Sequence, residues 1–236
     1  MNLRLLACSC AALAIAAPAA AADRNFTVTG FDRVRVDGPF MVRLTTGVAP
    51  FARATGSPPA LDGVSIEVQG QTLIVRKNPM SRGGFPGESP GPVEIAVGTH
   101  DLSRVWVNGA GSLAIDKVKG QSFDLAVQGP GSVAIGRLSV DHLKAGLSGS
   151  GSAVIGGTAA QVTAIVRGTS TFDGSGLKSK DATIGAEGTA VVKLTATNTA
   201  KIDTQGTATV EVAGRPACTV RAVGSAVVSG CRSNRR

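Results

Sequence analysis

Gly109-Ala110-Gly111-Ser112, Gly129-Pro130-Gly131-Ser132 and Gly149-Ser150-Gly151-Ser152 are three copies of one motif. Weaker copies follow at Gly168-Thr169-Ser170-Thr171, Gly188-Thr189-Ala190, Gly206-Thr207-Ala208 and Gly224-Ser225-Ala226, with spacings of 20, 20, 19, 20, 18 and 18 residues. A fixed period of this size marks stacked repeats, each too thin to bury a face alone. With each leading Gly at position zero, the even positions around it are aliphatic. Val105, Leu125, Ala145, Ala164, Ile184, Ile202 and Val220 stand four before it, and Leu113, Val133, Ala153, Phe172, Val192, Val210 and Val228 four after it. Alternation with period two is a strand signature, and glycine recurring inside each segment argues against helix. Position two is always small (Gly111, Gly131, Gly151, Ser170, Ala190, Ala208, Ala226), which predicts a tight corner where the wall comes close to its neighbour. Successive turns of a wound parallel sheet account for this pattern.

Outward residues test the frame. Adjacent coils lie about 4.8 Å apart, so equal positions stack directly. Asp124 then falls beneath Lys144, Arg167 meets Glu187 and Asp203 meets Arg221, while Asp173, Lys193 and Glu211 alternate in sign. Opposite charges in cross-strand register are what a stacked surface favours.

The chain has 236 residues and opens Met1-Asn2-Leu3-Arg4, then an apolar run and an alanine-rich stretch. This reads as a secretory signal peptide over residues 1–22, cleaved near Ala22, with Cys8 and Cys10 discarded. Residues 23–236 read as a single β-helix domain: irregular first coils over 23–77, an exposed Pro/Gly/Ser-rich loop over 78–92, and regular coils over 93–236. Within the first part, Gly38 fits the frame at zero, Ile66 to Gly70 fit its first half, and the frame slips before Leu73 and Val75. No transmembrane segment is expected once the signal is removed.

A formal net charge of +8 with pI near 9.9 allows contact with anionic envelope surfaces, but the charges are dispersed among opposite-sign partners. One Trp, no Tyr and no basic stripe interleaved with aromatics exclude nucleic acid as a partner. No cofactor is expected. The mature chain has two cysteines and two histidines with no zinc-ligand spacing, so no metal is expected either.

The order of motifs carries a resemblance. Phe31-Asp32-Arg33-Val34-x-Val36-x-Gly38-x-Phe40-x-Val42, then Leu73-Ile74-Val75, then Gly-x-Gly-Ser coils resemble the head-GIN family, bacterial proteins labelled auto-transporter adhesin head domains. The resemblance covers nearly all the mature chain, although the last four coils depart from Gly-x-Gly. It implies an all-β fold, a right-handed parallel β-helix (β-solenoid) with coils of about 18–20 residues, in the periplasm, on the cell surface or secreted. It brings no established activity or site.

Two function classes follow. The first is a non-enzymatic adhesion, binding or envelope-scaffold module whose partner is a glycan, an envelope polysaccharide or a surface protein. The alternative is a polysaccharide lyase or hydrolase, since such enzymes also use parallel β-helices and group carboxylates on one face. Asp116 and Asp141 have no stacking base to absorb them, and His100 and His142 adjoin Asp101 and Asp141, but neighbours along a strand face opposite ways. No catalytic residue is assigned. Three candidate features are singled out. Trp106, outward beside Asn108, could stack on a sugar or lie under the 78–92 loop. Cys218 and Cys231 form a candidate disulfide in an oxidising compartment, with a buried free thiol as the competing reading. Finally, Ser150, Thr169, Thr189, Thr207 and Ser225, with Thr171 and Thr209 two positions on, make hydroxyl ladders beside the corner. These either suit a tight corner and bond along the stack or form a polar contact strip for a glycan, a partner or ordered water.

Overall fold

The computed structural model describes residues 22–81 and 91–232. The expected signal peptide lies outside the described residues up to position 21, as does most of the expected 78–92 loop. In chain order, β1 (Ala22–Phe26), β2 (Arg33–Asp37), β3 (Met41–Thr46) and β4 (Phe51–Gly56) precede a five-residue helix, α1 (Pro58–Asp62). Next come β5 (Val64–Gln69), β6 (Thr72–Lys77), β7 (Glu94–Thr99) and β8 (Arg104–Asn108). Five long strands follow: β9 (Ser112–Gln128), β10 (Ser132–Gly149), β11 (Ser152–Gly168), β12 (Thr171–Gly188) and β13 (Val191–Gly206). β14 (Thr209–Ala213), β15 (Ala217–Gly224) and β16 (Val227–Ser229) complete the order.

The molecule is a β-solenoid of about six turns. Each long strand serves two walls, its first half following one glycine corner and its second half leading to the next. One wall stacks as β1-β4-β7-β3-β9-β10-β11-β12-β13-β14-β16. The other runs β5-β6-β2-β8-β9 and on through the second halves of the long strands to β15. From β8 onward the pairing is parallel and registers equal positions: Val105 faces Leu125, which faces Ala145, then Ala164, Ile184 and Ile202, all buried. Phe123 and Phe172, both at 0% exposure, supply the largest buried side chains of this narrow core.

The corners explain the glycines. Gly129 and Gly149 hold φ of +91° and +99°, a left-handed backbone that a side chain opposes. Two residues on, the requirement is space: a Cβ at Gly131 would lie 2.8 Å from the Gly109 carbonyl oxygen. The parallel ladder continues around the corner, where Ser132 N–H donates to Gly111 O and Ser152 N–H to Gly131 O, both at 2.9 Å.

At the N-terminal end the spatial order departs from chain order. β2 sits between β6 and β8, so the first coil of the chain is covered by a later one. Gly38 occupies the corner column, with its N–H on Asn108 O at 3.0 Å. Ile66 to Gly70 are not half a coil, as the frame suggested: β5 pairs antiparallel with β6, and Gly70 is the hairpin turn at φ +62°. Leu73 and Val75 are buried, in register with Val34 and Val36, which is the apparent slip seen in the sequence. Antiparallel strands β1, β4 and β5, with α1 burying Ala60 and Leu61, close this end of the core.

Candidate functional site

The outer surface of the second wall carries a column three positions before each corner glycine. In register it reads Arg35, Trp106, Ala126, Gly146, Ile165, Gly185, Asp203 and Arg221. Large side chains stand at Trp106 and Ile165, and between them the wall is bare. The result is a bay of about 380 Å³, floored by Ala126 and Gly146 and flanked by Arg104, Asp124, Lys144 and Thr163. That volume lies at the lower end of small-ligand sites, about 300–1,000 Å³. Beyond the sill of Ile165 a second bay of about 370 Å³ opens over Gly185, edged by Arg167, Glu187, Asp203 and Arg221.

Trp106 is fixed rather than loose. It is half-buried, and the Arg104 guanidinium carbon stands 5.3 Å from its ring centroid, within cation–π range. Arg104 is held in turn by Asp124, its Nε donating to Oδ2 at 2.9 Å. This corrects the expected stack of Asp124 on Lys144. The two are in register, but the guanidinium of the preceding coil takes the carboxylate with Nε and Nη2 both donating to Oδ2, and Lys144 lines the bay with no ion pair among the described residues. Arg167 and Glu187 do pair, at 3.0 Å, and Lys193 reaches Glu211 at 3.9 Å. Asp203 and Arg221 share a register position without an ion pair. Asp173 turns instead to its own strand, accepting from Ser175 Oγ and N–H, and these bonds hold its carboxyl below the ordinary value.

Gly146 carries the argument for this bay. Its φ lies outside the left-handed region, and the nearest atom to an added Cβ, Leu125 O, would be 4.0 Å away. Glycine inside a strand costs about 0.5–1 kcal/mol relative to alanine. Neither backbone nor packing needs it here, and the remaining physical consequence of the missing side chain is the open floor. Glycine at such a position marks a close approach by a ligand or another backbone. The sequence reading singled out Trp106 but not this floor, whose signal was an outward Ala-Gly pair one period apart.

The other candidates are placed as follows. The corner hydroxyls bond along the stack: Thr169, Thr189 and Thr207 donate to Gly149, Gly168 and Gly188 carbonyls at 3.3, 3.4 and 3.5 Å. Ser150, Ser225 and Thr209 are exposed and Thr171 is half-buried. Cys218 and Cys231 are joined in the last turn, Cα atoms 5.6 Å apart, linking β15 to the segment after β16. Asp116, inside β9, accepts from Thr46 N–H at the end of β3 and from Lys117 N–H, at 3.0 and 2.6 Å. His100 lines a cleft of about 230 Å³ with Asp101, Lys117 and Lys119, while His142 registers with Ser122 and Gln161. Among the described residues no three His, Cys, Asp or Glu side chains are grouped to hold a metal ion, and no helix is long and apolar enough to cross a membrane.

Solved structures share this fold. A Bacteroides fragilis protein described as a "putative adhesin" is 16% identical with a TM-score of 0.77, covering 89% of this chain and 95% of its own. A Parabacteroides distasonis protein described as a "putative lipid binding protein" is 19% identical with a TM-score of 0.68, covering 88% and 95%. Another "putative adhesin", from Parabacteroides merdae, is 16% identical with a TM-score of 0.69, covering 88% and 95%. No curated protein matches the sequence significantly. The family described as "Putative auto-transporter adhesin, head GIN domain" matches residues 30–216, most of the sequence, and the chain belongs to it.

Proposed function

We propose that this chain is an exported, non-enzymatic adhesion or binding module that takes a sugar ring of an envelope or surface glycan in the bay beside Trp106. The observation that supports this most directly is the bare floor at Gly146 next to a fixed aromatic wall. A pyranose has apolar C–H faces and a hydroxyl rim. Trp106 offers an apolar body for the first, and Lys144, Thr163 and the Asp124 carboxylate offer partners for the second. Family membership and the solenoid fold support the adhesion part of the reading. The N-terminal apolar run supports export.

Glycan-array screening of the mature protein, followed by calorimetry on each hit, tests the site. Trp106→Ala should weaken binding at least about tenfold, because one aromatic platform carries much of such a contact. Gly146→Val should block the bay while leaving the melting temperature equal or higher, since a β-branched residue suits a strand. Parental affinity in both variants would move the contact off this bay. Release of reducing ends from a hit polysaccharide by the parent protein would favour the lyase or hydrolase reading instead.

A further inference from the structure

The two ends of the solenoid are built differently. At the N-terminal end the charges are matched: Arg24 with Asp62 at 2.7 Å, Asp23 with Arg53, and Glu67 with Arg76 at 2.6 Å. At the other end β15 pairs only with β13 and β16 only with β14, so both present an unpaired edge among the described residues. Val220, Val223 and Val227 in this last turn are exposed at 45%, 55% and 58%. Val220 belongs to the core-facing column that is fully buried one coil earlier, at Ile202. Proteins ordinarily blunt an edge of this length, and an open one is a template for strand addition.

Charge decides what fits. From Gly214 to Arg232 the chain has three arginines, Arg215, Arg221 and Arg232, and no acid. None of the three makes an ion pair among the described residues. A second copy pairing through the same edge would bring two arginine-bearing edges together with no carboxylate on either side, and like charges brought close destabilise a strand pair. An incoming strand obeying the stacking of the coils below would place an acid over Arg221, as Asp203 lies in register beneath it, and apolar residues over Val220 and Ala222.

We infer that the C-terminal edge is a strand-addition site for an extended acidic segment of another protein, one in which apolar residues alternate with Asp or Glu. The partner adds a rung: its backbone takes up the free N–H and C=O groups of β15, its apolar residues cover Val220 and Ala222, and its carboxylates meet Arg221. This surface is separate from the Trp106 bay and does not depend on it.

The test uses the mature protein and three labelled, end-blocked peptides read by fluorescence anisotropy. The first is Ser-Val-Glu-Val-Glu-Val-Ser-Gly, the second has Lys for both Glu, and the third is a scramble that groups the valines together. The first peptide should bind saturably and at least about tenfold tighter than the other two. Arg221→Glu should reverse the preference toward the Lys peptide, and Arg221→Gln should erase the difference between them. Arg221 is exposed, so both variants should melt with the parent. No saturable binding of the first peptide, or equal binding of the scramble, overturns the inference. So does concentration-dependent dimerisation in sedimentation that Val220→Glu abolishes, which would make the occupant a second copy.

Discussion

Thr204 stands in the column two before the corner glycine, where its register neighbour on the preceding coil is Ala186. It is 4% exposed, and its Oγ1 has no hydrogen-bond partner among the described residues. A buried hydroxyl without a partner costs about 1–3 kcal/mol in desolvation. Valine has nearly the same shape and no such cost. Thr204→Val should therefore stabilise by about 1 kcal/mol and raise the melting temperature by about 2–4 °C, read by thermal circular dichroism. A lower melting temperature would mean that the hydroxyl is bonded after all. Ser170 poses the same question in the column two after the glycine, where its Oγ is buried and also unpartnered.

Between coils, the mid-coil bend is tied by side chains as well as by the ladder. Asp181 in β12 accepts from Thr199 Oγ1 at 2.5 Å and Asn198 Nδ2 at 2.8 Å, both in β13. These bonds favour the carboxylate and hold Asp181 below its ordinary value of 3.8, the Thr199 bond being the largest cause. Asp173 is lowered chiefly by the Ser175 hydroxyl, and Asp23 chiefly by its Arg53 bond. A carboxylate whose folded value is depressed adds stability above the unfolded value, and loses it as pH falls through the folded one. The melting temperature should thus hold above about pH 4 and fall below it. Asp181→Asn should flatten that acid limb, because its amide cannot titrate. An acid limb identical to the parent's would show that the bond between β12 and β13 contributes nothing to stability.

Across the whole molecule, stability is carried by nearest-neighbour contacts between rungs. The inner coils have a neighbour on both sides and the N-terminal end is closed by α1 and antiparallel strands, whereas among the described residues β15 and β16 have one partner each. Hydrogen exchange should accordingly be slowest in β10 to β12 and fastest in the last turn. The Cys218–Cys231 link closes a separation of 13 residues there. A loop of that order is worth about 3 kcal/mol in restricted unfolded chain. Cys218→Ser should therefore speed exchange in β15 and β16 while β10 to β12 keep their protection. Equal acceleration throughout would mean that the solenoid opens as one unit.

The amino-acid sequence by itself determined the rung. Recurring Gly, small residues two positions on, and aliphatic residues at even offsets specify strand, corner and register, because each coil stacks on an equivalent one and repeats the same local constraint. Three things were decided by tertiary structure. The hairpin of β5 and β6 and the insertion of β2 between β6 and β8 depend on which unmatched edges meet at the end of the stack, and no local period encodes that. Asp124 chose Arg104 over Lys144 because two basic residues are in register with it and only the guanidinium offers a planar fork. The bay beside Trp106 came from residues about 20 positions apart, Ala126 and Gly146, whose lack of side chains creates a surface only once the coils lie one above another.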